Sequence, residues 1–196
     1  LVQEIARTLP VNIVNSINPY RLQGQKTIAF EVIEALGAPP DYHALPVGNA
    51  GNIAAHWIGY SESAGVATLA LKTTADMRAY RPLRTAERRP VMLGYQAAGA
   101  APIVRGRPVE NPETVATAIR IGNPVSWAQT LAASRESGGW FAAHDDEEIL
   151  RHSGAVEALN ELKARGLVRS VGISSKSVAG GMLAEVAARF SDREAL

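Results

Sequence analysis

Apolar and polar positions along this chain change repeatedly between a helical and a strand period. Gln25 to Leu36 carries apolar residues at helical spacing (Ile28, Val32, Ile33, Leu36), and Gly37 with Pro39 and Pro40 ends the run. Tyr42 to Val47 is apolar and strand-like, Gly48-Asn-Ala-Gly51 is the turn after it, and Asn52 to Tyr60 is the following helix. Val91 to Tyr95 reads as a buried strand, with Ala97-Ala-Gly-Ala-Ala101 opening the next element. Pro112 to Ile121 is expected as a helix, with Asn111 as N-cap and Pro112 in its first turn. Ser126 starts another helix that stops near Gly138 and Gly139, Trp140 to Ala143 is a short strand, and Asp145-Asp-Glu-Glu148 opens a helix. Residues 1–9 read as a helix end, Val11 to Asn15 as a short β-rich run, and Pro19 to Gly24 as a loop. The stretch Ser61 to Asp76 has no clear period, and Arg78 to Arg89 is basic and expected to be exposed. Strands alternating with helices predict an α/β fold: an open, twisted, mostly parallel sheet with helices on both faces.

Composition narrows the function classes. The chain has 196 residues, 46% of them hydrophobic and 20% charged, with a formal net charge of +1. That supports a packed core and leaves no basic block able to follow a phosphate backbone, so no nucleic-acid partner is expected. There are no cysteines, which removes disulfides, zinc–thiolate sites and cysteine nucleophiles and fits a cytoplasmic protein. No apolar run reaches the ~20 residues that cross a bilayer, so no membrane partner is expected either. Because the chain opens on Leu1 in an amphipathic stretch, we expect it to be the interior of a longer gene product.

The junction at Val47-Gly-Asn-Ala-Gly-Asn52 is the most informative site. A strand that runs through glycines into a helix presents free backbone N–H groups at the helix N-terminus, where the dipole favours an anion. Residues alone leave two readings open: a phosphate or carboxylate cradle, or a tight turn and nothing more.

The surroundings favour the first. Asn15-Ser-Ile-Asn-Pro-Tyr-Arg-Leu-Gln-Gly-Gln-Lys-Thr27, Pro46-Val-Gly-Asn-Ala-Gly-Asn-Ile53, Met92-Leu-Gly-Tyr-Gln-Ala-Ala-Gly-Ala-Ala-Pro102, Thr117-Ala-Ile-Arg-Ile-Gly-Asn-Pro124 and Glu136-Ser-Gly-Gly-Trp140 through Asp146-Glu-Glu-Ile-Leu150 together resemble the threonine synthases. The resemblance covers about residues 1–151. It implies a partial tryptophan-synthase-β-like fold, pyridoxal 5′-phosphate as cofactor, and a lyase that converts O-phosphohomoserine and water to threonine and phosphate. It also implies residue roles. Val47, Gly48, Asn49, Ala50 and Gly51 would hold the cofactor phosphate, while Asn15, Ser16, Arg21 and Asn49 would face the phosphate of the substrate, a phosphorylated amino acid. Arg21 suits this because its planar fork pairs bidentately with phosphate.

The pattern also breaks. The family's cofactor-binding lysine belongs to an Asn-Pro-Thr-Gly-Ser-Phe-Lys-like segment that this sequence lacks, so no catalytic residue is assigned and little turnover is expected from the chain alone. Lys26, Lys72, Lys163 and Lys176 lie outside any such context. The stretch from Ser61 to Asp76 is an insertion relative to the family. After His152 the resemblance stops: residues 153–166 read as an amphipathic helix, 167–174 as a strand and 178–190 as a second helix. That helix–strand–helix tail, residues 153–196, weakly resembles one unit of an aldo-keto reductase barrel, which implies that Ser174 and Ser175 match a polar pair touching a nicotinamide amide; from the residues alone they read as a polar turn before a helix. With apolar faces left uncovered, dimerisation or aggregation is expected, a homodimer included.

Two alternatives remain at this level: another pyridoxal-phosphate enzyme of the same fold, such as threonine dehydratase, or a non-catalytic chimera or oxidoreductase remnant. His43, His56, His144 and His152 show no metal-ligand spacing, so structural or surface roles are expected and no metal is assigned. Trp57, Trp127 and Trp140 read as core or contact residues, and the acidic run from Asp145 as a helix start.

Overall fold

A computed structural model describes residues 2–11, 13–14, 18–71, 85–146, 161 and 164–165. Helix α1 spans Val2–Thr8, α2 Pro19–Gln25 and α3 Thr27–Leu36; strand β1 spans Tyr42–Pro46 and leads into helix α4, Gly51–Ser63. Strand β2 is Val91–Ala97, α5 the single turn Pro102–Arg105, α6 Trp127–Ser137 and β3 Trp140–His144. A 3₁₀ turn occupies Thr117–Ile119.

The three strands form one parallel sheet in the order β1-β2-β3, as the alternating pattern predicts. Register places His43 beside Met92, Leu45 beside Gly94 and Gly94 beside Phe141, so these residues share a face. Leu45, Met92 and Phe141 pack there against Ile53, Trp57 and Ile58 of α4 and Ala133 of α6. On the other face Tyr42 and Trp140 are 62% and 51% exposed.

Helix α4 is the axis of the core, with eleven of its residues, Ile53 through Ser63, buried. It passes so close to the junction of α2 and α3 that a Cβ on Gly59 would sit 2.3 Å from the carbonyl oxygen of Lys26. Lys26 Nζ ion-pairs there with Glu62 at 2.5 Å, with both side chains largely out of solvent. The middle of α4 and the chain leaving it are latched from a second direction. Glu136 accepts from Trp57 Nε1, Thr68 Oγ1 and the Leu69 amide, and Arg89 stacks 4.3 Å above the Trp57 ring.

Several local expectations are corrected. Pro19–Gln25 is a helix, not a loop: the Asn18 side chain caps it by accepting from the Tyr20 amide, and Pro19 sits in the first turn. Residues 11, 13 and 14 lie in no strand. The expected helix from Pro112 to Ile121 is absent except for its one 3₁₀ turn. Non-helical partners hold this segment: Glu113 N donates to Gly99 O, Val109 N to Gly122 O, and Val115 N to the Asp146 carboxylate. Ser61–Ser63 continue α4. Within the basic stretch, Arg88 is exposed beside Asp41 whereas Arg89 is partly buried, and 78–84 lie outside the described residues. The helix–strand–helix reading of 153–196 also falls outside them, apart from Glu161, Ala164 and Arg165.

Candidate functional site

At the carboxyl end of β1 the chain turns into α4 through Val47-Gly-Asn-Ala, the position where open parallel sheets place ligands. Val47 is fully buried and its amide donates to Tyr95 O at 2.8 Å, which extends the ladder by one bond. Its carbonyl accepts from the buried Gln96 side chain, whose oxygen in turn accepts from the Ile103 and Val104 amides. One carboxamide therefore ties the turn to α5 with its own polar atoms satisfied. Ala50 closes the turn at φ 64°, a left-handed conformation costly for a residue with a Cβ. It is held there by its neighbours.

The carbonyls of Val47, Asn49 and Ala50 are engaged. Asn49 O accepts from Ser126 N at 3.2 Å and Ala50 O from Thr130 Oγ1 at 3.0 Å, both from the start of α6. Asn52 Nδ2 donates across the turn to Pro46 O at 2.7 Å. Among the described residues the amides of Gly48, Asn49, Ala50 and Gly51 have no partner. These donors open α4, a 13-residue helix whose positive end adds to them.

The residues that carry them line a cavity of about 320 Å³ together with Arg21, Leu22, Ala118 and Ile119. Gly48 is closely hemmed in: a Cβ would lie 3.0 Å from Ile119 Cα and 3.1 Å from Ala118 O, so the backbone would have to give by a few tenths of an ångström. Beside Gly51 lies the Ser126 hydroxyl, fully buried and without a hydrogen-bond partner, 3.7 Å from where a Gly51 Cβ would be.

Of the residues singled out in the sequence, Arg21, Gly48, Asn49, Ala50 and Gly51 are brought together around this cavity. Val47 lies behind it in the core, and Asn15 and Ser16 fall outside the described residues. Ser126, Thr130, Gln96 and Asn52 were missed. Thr130 lies eighty residues from its partner, so local pattern carried no sign of it.

Residues 1–192 match the family described as Pyridoxal-phosphate dependent enzyme. The chain belongs to that family. It is 46% identical over 179 residues to the threonine synthase of Synechocystis sp., covering 91% of this chain and 41% of that protein. It is 50% identical over 151 residues to the threonine synthase of Mycobacterium tuberculosis (76% and 37%) and 42% identical over 189 to that of Methanosarcina acetivorans (92% and 41%). The chain thus spans about two fifths of the length of these curated relatives. A solved threonine deaminase isoform 2 from Solanum lycopersicum shares the fold, with a TM-score of 0.52 at 15% identity over 87% of this chain and 47% of that one.

The turn fits the phosphate end of this family's cofactor. It offers four consecutive unpartnered amides, a glycine whose Cβ position is tightly hemmed in, and an unpartnered hydroxyl beside Gly51. A lysine to hold the aldehyde end is another matter. Lys26 is the one lysine among the described residues, and its Nζ is committed to Glu62.

β1 and α4 also bring together a cluster of titratable side chains. His43 Nδ1 lies 2.7 Å from Tyr60 Oη, and His56 Nδ1 lies 3.3 Å from His43 Nε2. Burial lowers both imidazoles; in His56 the charge of His43 adds to burial and brings it to about 4. Burial pushes the Tyr60 phenol up to about 12. For Glu136 burial works to raise the carboxyl, but the bonds from Thr68, Trp57 and Leu69 and the charge of Arg89 outweigh it and hold the group below its ordinary value. No helix among the described residues is long and apolar enough to cross a membrane.

Proposed function

We propose that this chain is the phosphate-gripping part of a threonine-synthase-type enzyme, acting on O-phosphohomoserine and water to give threonine and phosphate. The observation that carries the reading is the row of unpartnered amides from Gly48 to Gly51 opening on one cavity with Arg21. The 42–50% identity to threonine synthases supports the reaction class.

When bound, pyridoxal phosphate supplies an electron sink for the substrate's α-carbon. The chain's own residues bind and orient. The Gly48–Gly51 amides take the cofactor phosphate and fix its position against the end of α4. Arg21, exposed at the cavity mouth, pairs with the substrate phosphate, and the Asn49 side chain, with Asn15 and Ser16, completes that grip. A threonine dehydratase has no phosphorylated substrate and so no use for this Arg21. The lysine that would hold the cofactor covalently has no counterpart in this sequence, so the chain alone turns over little.

Borohydride reduction of the chain mixed with pyridoxal phosphate, followed by mass mapping of lysines, tests the proposal. Saturable cofactor binding without a stoichiometric lysine adduct is expected. A single stoichiometric adduct overturns the inactivity, and no saturable binding overturns the cradle.

A further inference from the structure

Ser126 stands at the N-cap of α6, where a serine hydroxyl ordinarily accepts from the helix's own first amides, yet it makes no such bond. Its hydroxyl is buried and idle, and its backbone amide is spent on Asn49 O. One turn further on, Thr130 is fully buried and donates its hydroxyl to Ala50 O at 3.0 Å. The start of α6 is thus turned towards the carbonyls of another element.

A peptide plane presents its N–H and C=O on opposite sides. Holding the Asn49 and Ala50 carbonyls against α6 therefore points the next amides, those of Ala50 and Gly51, the other way. Those amides are among the four that have no partner, and Ala50 and Gly51 are lining residues of the cavity. The left-handed Ala50 is a conformation that relaxes unless something holds it. Apart from Thr130, its carbonyl accepts only a long 3.4 Å bond from Ala54 N.

Resting on the cradle reading above, we propose that Thr130 and the Ser126 amide are positioning residues, which fix the polarity of the 48–51 turn so that it presents donors, not acceptors, to a phosphate. Neither touches the anion. Both act through the peptide planes they hold, and they preorganise the site before the ligand arrives.

The test uses the intact chain and pyridoxal phosphate, followed by fluorescence titration, with inorganic phosphate as competitor. Thr130→Val keeps the side-chain shape and removes the hydroxyl; Thr130→Ser restores it. The expected result is an affinity about tenfold weaker in Thr130→Val and near that of the unaltered chain in Thr130→Ser, because a structural role for the methyl group alone would not be rescued by serine. Equal affinity in all three overturns the inference and leaves the cradle standing. Failure of the unaltered chain to bind in a way that phosphate competes overturns the cradle and the inference with it. Should Thr130→Val not fold, amide exchange in the unaltered chain decides. A protected Ser126 amide that slows further with bound phosphate supports the proposal, and one that exchanges freely contradicts it.

Discussion

Glu136 accepts the indole N–H of Trp57 at 2.7 Å across a separation of 79 residues, and so joins the C-terminal turn of α6 to the middle of α4. The same carboxylate takes Thr68 Oγ1 and the Leu69 amide, which anchors the chain leaving α4. Three donors converge on two oxygens, so no neutral side chain of this size satisfies them all. Glu136→Gln is expected to cost about 1–3 kcal/mol in urea unfolding. A variant as stable as the original would show that the latch is ornamental.

Gly48→Ala separates anion binding from folding. The added Cβ meets Ile119 Cα at 3.0 Å and Ala118 O at 3.1 Å, backbone atoms that cannot rotate away. The turn must shift to admit it. We expect a loss of at least about tenfold in pyridoxal phosphate affinity, with a circular dichroism spectrum like that of the unaltered chain. Undiminished affinity would place the phosphate elsewhere.

Acid sensitivity should come from His56. Its folded value of about 4 lies below the ordinary 6.5 because of burial and then His43. The folded state resists the proton that the unfolded state accepts. The stabilisation is therefore complete above about pH 6.5 and drains away as pH falls towards 4, by up to about 3 kcal/mol. Glu136, held below its usual value, adds a loss of the same sign at lower pH. Thermal melts between pH 7.5 and 4.5 should fall steeply for the unaltered chain and more gently for His56→Gln. Parallel curves would refute the assignment.

Arg21→Ala should divide the two phosphates. Arg21 lines the cavity from α2 and is exposed, whereas Gly48 and Ala50 are buried. Pyridoxal phosphate affinity is expected to stay within about twofold while protection of the chain from heat by added O-phosphohomoserine is lost. A larger loss for the cofactor than for the substrate would assign Arg21 to the cofactor.

What the sequence made legible was local. The strand–glycine–helix junction at 47–52 could be read because its physics lies within six consecutive residues, and the parallel α/β class because periods alternate over long stretches. Helix α2 was legible too, in Asn18-Pro19, but Gly24 and the short length masked it. The segment after Asn111 misled for the opposite reason. Asn-Pro-Glu has the form of a helix start, yet Gly99 and Asp146, distant in sequence, take the amides of Glu113 and Val115. Asp146 was read as part of an acidic helix start, and its work in holding Thr114 and Val115 depends on a contact more than thirty residues away. The His43–His56–Tyr60 cluster and the Thr130–Ala50 bond share that character: register and crossing geometry create them, and no spacing along the chain announces them.

The most direct test of the central claim is a ¹⁵N–¹H NMR titration of the chain with pyridoxal phosphate and, separately, inorganic phosphate. The account predicts saturable downfield movement of the Gly48, Asn49, Ala50 and Gly51 amides with both ligands, the same set responding to each. Shifts that leave these four amides in place and cluster elsewhere would contradict it.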